Sequence, residues 1–296
     1  MHRGPKRDLI RDIANAVRAE GLRFGVYYSG GLDWSVTEHL PPLTVETERL
    51  RPNDAAYNFY AVSHVRDLID HYRPDVLWND INWPDSGKRR GRDGLYELFA
   101  YYYRSNPDGV VNDRWGDTHW DFRTSEYSAS LENEQAPVWE NTRGLGYSFG
   151  FNRAEDERHI LSPAALARHW VDVVSRGGRL LLNIGPTADG TIPPAQRATV
   201  ESFGTWMGAV KEMSQSATAD PSLPSSDHPW MRWWRTPTAV VAFVASSGTL
   251  ALPANVSADG ARMLTPGARV RIDDRRASVE VDDPQAGPAA VAFQST

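Results

Sequence analysis

The 296-residue sequence has no cysteine. That excludes disulfide staples, thiolate metal sites and a cysteine nucleophile together. It also lacks long apolar runs. The longest, residues 239–245, falls far short of the ~20 residues a membrane-spanning helix needs. The opening MHRGPKRDLI has no apolar core of the kind a signal peptide carries, so a cytoplasmic location is the default expectation. Positive charge is not in surplus: Lys+Arg is 32 against Asp+Glu 38, a net charge of -6. Neither nucleic acid nor an anionic membrane is therefore an expected partner. Metal-ligand spacings such as His-x-x-x-His are missing, and the 8 His are scattered, so no metal and no cofactor is expected. Gly185-Pro-Thr-Ala-Asp-Gly190 lacks the Lys-Ser/Thr of a phosphate loop and reads as a strand-to-helix turn.

What is present is globular: 41% hydrophobic and 24% charged residues. Tryptophan and tyrosine are abundant, at 11 each, and several stand beside Asp, Glu, Asn or Arg. Such pairs suit sugar rings, which offer C–H faces and a rim of hydroxyls. They equally suit packed cores.

The first two hundred residues alternate helical and strand patterns. Helices are expected over 7–20, 55–72, 95–104, 163–177 and 194–213, and strands over 24–28, 75–80, 109–113, 138–140 and 179–183. A loop holding Pro41 and Pro42 separates the first strand from the second helix. Alternation of this kind predicts a parallel α/β architecture. Polar and aromatic residues gather at the strand ends, where a (β/α) barrel has its mouth. Five strands are too few to close a barrel. After a Ser/Pro-rich linker at 214–229, short β runs without helical patterns predict a small antiparallel sandwich. The expected organisation is therefore an incomplete (β/α)8-like barrel over 1–213, a linker over 214–229 and a β-sandwich over 230–296.

Two acids stand out. Asp80 ends a strand whose Val76, Leu77 and Trp78 read as fully buried, which puts its carboxylate at the mouth. Glu126 is expected in the loop that follows the next strand, with Glu132, Glu134 and Glu140 as rivals. Paired carboxylates on successive strand ends are what glycoside hydrolysis needs. A separation of ~5 Å gives retention and ~6.5–9.5 Å inversion, a choice the sequence leaves open. Asp80 could instead cap a helix or pair with an Arg. Adjacent Asp113 and Arg114 could form a local ion pair. Asn255-Val-Ser257 fits a glycosylation acceptor.

Taken together, the ordered blocks resemble the α-L-fucosidases of glycoside hydrolase family 29. They are Gly4-Pro-Lys-Arg-Asp8, Phe24-Gly-Val-Tyr-Tyr-Ser-Gly-Gly31, Pro74-Asp-Val-Leu-Trp-Asn-Asp80 and Val111-Asn-Asp-Arg-Trp-Gly116, followed by Trp120-Asp-Phe122 and Trp139-Glu140. Ser148-Phe-Gly-Phe-Asn152 and Val173-Val-Ser-Arg-Gly-Gly-Arg-Leu-Leu-Leu-Asn-Ile-Gly-Pro186 complete them. The resemblance implies a retaining exo-glycosidase with Asp80 as nucleophile and Glu126 as acid/base. It implies that Tyr27, Trp78, Arg114 and Phe149 line the fucose pocket, whose apolar members suit the C5 methyl. It further implies a fucosylated oligosaccharide or glycoconjugate as substrate. Members of that family carry a long segment ahead of the Gly-Pro-Lys-Arg-Asp block, with the first barrel strands and hydroxyl-binding histidines. The sequence is accordingly expected to bind fucose weakly, and to be either a homo-oligomer that covers its open barrel edge or a poorly stable monomer. The alternative reading is a non-catalytic carbohydrate-binding or assembly protein built on the same frame.

Overall fold

The computed structural model describes residues 4–33, 35–36, 51–130, 138–227 and 229–295. Pro41, Pro42, Glu132 and Glu134 lie outside the described residues. The chain divides into two compact units, with the boundary between Thr124 and Ser125.

The first unit opens with α1, Leu9–Ala19, whose N-cap Asp8 accepts from the Arg11 amide. β1 (Gly25–Ser29), α2 (Ala55–Tyr72), β2 (Val76–Asp80), α3 (Leu95–Ser105) and the short β3 (Val110–Val111) follow. Asp54 caps α2 by accepting from Ala56 N and Tyr57 N. The strands form a parallel sheet of order β1-β2-β3, with Tyr27 opposite Trp78 and Ser29 opposite Asp80. Its core joins Ala61, Val65 and Ile69 of α2 to Leu95 and Leu98 of α3, with Leu77, Val111, Trp83 and Trp115. β2 does not match the expectation of a run buried on both faces. Leu77 and Asn79 are buried, while Val76, Trp78 and Asp80 are half-buried. Period-2 alternation sends Leu77 to the helices and leaves Trp78 and Asp80 on the other face.

A further strand, β4 (Arg123–Glu126), carries the boundary between the units. Its sequence, RTSE, is entirely polar, which is why apolar periodicity did not reveal it. Glu126 thus closes a strand, where a loop was expected.

The second unit continues with β5 (Trp139–Gly144), α4 (Pro163–Ser175), β6 (Gly178–Asn183) and α5 (Pro194–Gln215). β4, β5 and β6 form a three-stranded sheet in that order, and β5 and β6 are parallel. Ser162 caps α4, with Pro163 at its first position.

The remaining strands are antiparallel: β7 (Ser226–Asp227), β8 (Trp230–Arg235), β9 (Ala239–Val244), β10 (Gly248–Ala251), β11 (Val256–Met263), β12 (Ala268–Asp273), β13 (Arg276–Val281) and β14 (Ala289–Ser295). They make a five-stranded sheet of order β11-β14-β9-β8-β7 and a three-stranded sheet of order β10-β13-β12. β9 is buried along its whole length. Val241 and Phe243 join the α4–α5 core around Trp206 and Trp234, whereas Val240, Ala242 and Val244 join the sandwich core with Val279, Val291 and Phe293. A strand covered on both faces reads as a continuous apolar run, and residues 239–245 are that run. Arg232 of β8, buried, pairs with Asp172 of α4 at 2.5 Å and with Asp227 at 2.7 Å. Asn255, of the glycosylation-like triplet, is exposed just ahead of β11.

Candidate active site

Asp80 is the last residue of β2, and both its carboxylate oxygens are engaged. Tyr27 Oη donates to Oδ2 at 2.7 Å, and Arg114 Nη1 donates to Oδ1 at 3.0 Å. Two donors on two oxygens fix the plane of the carboxylate as well as its position. Arg114 is itself fixed: its Nε donates to Thr124 Oγ1 at 2.9 Å, and that hydroxyl donates to Asp113 Oδ1 at 2.8 Å. The guanidinium carbon stands 4.7 Å from the Trp78 ring centroid, a cation–π distance. Tyr27 stacks on Trp78 with centroids 5.5 Å apart and planes 19° apart. Although Tyr27 is 60% exposed, desolvation of its hydroxyl end and donation to Asp80 hold the phenol above its ordinary pKa. It remains a protonated donor at neutral pH.

The sequence dictates this corner through its neighbours. Asn79, fully buried, uses its Nδ2 to reach the carbonyls of Asn82 at 3.0 Å and Arg114 at 2.7 Å. Its backbone exchanges two bonds with the Asn112 side chain, each 2.9 Å long. The ends of β2 and β3 are thereby tied together where backbone pairing stops. After Asp80 the chain turns through Ile81 and Asn82, at φ 58 and 63. For a β-branched residue this is a strained conformation of a kind that gathers at functional sites. Gly30 and Gly31 make room for it. A Cβ on Gly30 would lie 2.4 Å from Asn79 Oδ1, and one on Gly31 2.0 Å from the Ile81 carbonyl.

Tyr27, Trp78, Asp80 and Arg114 are therefore brought together in the first unit, as expected. Arg114 pairs with Asp80 and not with its neighbour Asp113, which instead accepts from Thr124 and lies 4.0 Å from Arg123. The local ion pair read from adjacency is corrected. Thr124, the bridge in this chain of bonds, carried no signal in the sequence.

Glu126 and Phe149 belong to the second unit, where Tyr127, the residue after Glu126, packs against Phe149. Glu126 is exposed at the end of β4, and Tyr127 follows at φ 56. The Tyr127 ring lies 5.3 Å from that of Phe149, and its hydroxyl donates to the Tyr147 carbonyl at 3.0 Å. Asn183, at the end of β6, donates to the Phe149 carbonyl. Glu140, the rival acid, stands inside β5 and accepts from Thr142 Oγ1 at 3.4 Å. Among the described residues, no group of three His, Asp or Glu stands close enough to hold a metal ion.

The site is thus a carboxylate gripped by a phenol and a guanidinium beside an indole face, at the C-terminal end of a parallel strand. The profile of the α-L-fucosidase family matches residues 1–212, and the chain belongs to that family. It is 31% identical over 214 residues to the plasma α-L-fucosidase of Rattus norvegicus, covering 69% of this chain and 45% of the relative. To the tissue α-L-fucosidase of Bos taurus it is 28% identical over 215 residues, 69% of this chain and 44% of the relative. The chain thus spans less than half the length of these two relatives. The crystal structure of the Thermotoga maritima α-fucosidase with a mechanism-based inhibitor superposes with a TM-score of 0.80 at 37% identity, over 98% of this chain and 69% of that one. The α-L-fucosidase isoenzyme 1 of Paenibacillus thiaminolyticus gives 0.77 at 25% identity, over 98% and 76%. The fold class is a (β/α)8-like barrel, incomplete in this chain, followed by a small antiparallel β-sandwich.

Proposed function

We propose that the chain carries the reacting carboxylates of a retaining, exo-acting α-L-fucosidase that works by double displacement. An Asp80 oxygen attacks the anomeric carbon of a terminal α-L-fucose, and the bond from that carbon to the leaving oxygen breaks. Glu126 gives its proton to the departing oxygen. In the second half Glu126 takes a proton from water, the water oxygen bonds to the anomeric carbon, and the Asp80 ester bond breaks. Tyr27, Trp78, Arg114 and Phe149 line the sugar, with the aromatic faces against its C–H and methyl groups. Substrates are fucosylated oligosaccharides or glycoconjugates. The catalytic domain is assigned to 1–213 and the sandwich to 230–296, joined by 214–229.

The observation that carries this reading is the two-point grip on Asp80 by Tyr27 and Arg114 beside Trp78. A carboxylate oriented in this way is ready to attack without reorganising. The test is fucose release from 4-nitrophenyl α-L-fucoside by the full chain, with the first-formed anomer followed by proton NMR. Release of α-fucose supports the reading. No release across a panel of fucosides, or β-fucose formed first, overturns it.

A further inference from the structure

We propose that His169 is a positioning residue for Glu126, acting through Asn141 to fix the turn that presents this carboxylate. The inference rests on the reading of Glu126 as acid/base. Tyr127, directly after it, holds a left-handed φ of 56, which a residue with a Cβ adopts at a cost. The turn therefore needs an outside grip. Asn141, fully buried in β5, supplies one. Its Nδ2 donates to Ser125 Oγ at 2.9 Å and to the Ser128 carbonyl at 2.7 Å, bracketing Glu126 from both sides. A carbonyl only accepts, so the amide nitrogen must face Ser128, and Oδ1 must face the other way.

Oδ1 meets His169 Nε2 at 2.7 Å. Since Oδ1 can only accept, the network assigns the hydrogen to Nε2. Nδ1 then keeps its lone pair, and it lies 3.4 Å from Arg143 Nη1, a donor. The charged groups that face the ring are Arg143 of β5 and Asp172 of its own helix. Burial and Arg143 push the His169 pKa down to about 4, with Asp172 opposing. The neutral tautomer therefore holds through the neutral range. Without that donor the buried Asn141 Oδ1 is left unpaired, and the amide loses the bond that anchors its far end. Arg143 also reaches this turn, its guanidinium carbon 5.4 Å from the Tyr127 ring centroid.

A mispositioned acid hurts most where the leaving group needs protonation. In the full chain, His169→Ala should lower kcat ~10- to 100-fold on an alkyl fucoside, with little change on a 2,4-dinitrophenyl fucoside and in KM. His169→Gln, whose amide can donate to Asn141 and accept from Arg143, should restore most of the loss. Amide hydrogen exchange at Tyr127 and Ser128 should quicken in the alanine variant and recover in the glutamine one. Equal losses on both leaving groups, or unchanged exchange, would overturn the proposal. Nitrogen NMR of the wild-type chain needs no variant: an Nε2–H imidazole supports the clamp, and an Nδ1–H imidazole overturns it. A wild-type chain inactive on every fucoside sinks the fucosidase reading alone, and the exchange and NMR results still decide the clamp.

Discussion

Asp80 and Glu126 both close strands, yet the two units hold them by different means. In the first unit Asp80 is bonded directly by Tyr27 and Arg114, and a relay through Thr124 to Asp113 stiffens the arginine. In the second, the neighbours of Glu126 are held, by a buried amide and a neutral imidazole. Charge is spent on the group that must stay in one place and attack. A proton donor that later becomes a base has to change charge within each cycle, and in the second unit the grip described falls on the residues either side of it.

The sharpest test of the contrast is Asp80→Asn, which should lower turnover on an aryl fucoside by several orders of magnitude. Activity within about tenfold of wild type would remove Asp80 from the nucleophile role. Next comes Glu126→Ala, with an expected loss of ~10²–10⁴-fold that shrinks as the leaving group improves. Added azide should restore turnover and give a fucosyl azide of retained configuration, and rescue in Glu140→Ala instead would move the role to that residue.

The His169 network should also show in stability. With a native pKa of about 4 against ~6.5 unfolded, the unfolded chain binds the extra proton between those values. Stability is therefore full above pH ~6.5 and falls as the pH drops toward 4, by at most about 3 kcal/mol. Urea denaturation at pH 7 and pH 4.5 measures it, and His169→Gln should flatten the difference. A slope unchanged in that variant would mean that another group titrates there.

A smaller effect than that of Asp80→Asn is expected of Tyr27→Phe, which removes one of two donors and keeps the ring on Trp78. A loss of about 1.5–3 kcal/mol in transition-state stabilisation is expected, read as roughly a 10- to 150-fold drop in kcat/KM. No measurable drop would leave Arg114 as the group that orients Asp80.

Much of this was legible beforehand. Helix 55–72 matches α2 to the residue, because its N-cap Asp54 and the pre-proline stop near Pro74 are local signals. The grouping of Tyr27, Trp78, Arg114 and Asp80 followed from the family blocks. β4 was missed because RTSE offers no periodicity. β2 was misread as buried on both faces because three apolar residues in a row do not reveal an alternating environment. Thr124, Asn141 and His169 gave no signal, since a polar residue acquires its role only from a partner distant in sequence.

The sequence by itself determined the class of the chain: alternating helices and strands, a β-rich end, no thiol chemistry, and acids at strand ends. These depend on composition and on periodicities of two and 3.6, which are local. Only the tertiary structure decided that Arg114 serves Asp80 instead of Asp113, and that a histidine on α4 reaches the Glu126 turn through a buried amide. Residues 80 and 114, like 141 and 169, are separated by dozens of positions. Hydrogen-bond partners are chosen by where strands and helices bring their side chains, and no spacing along the chain encodes that choice.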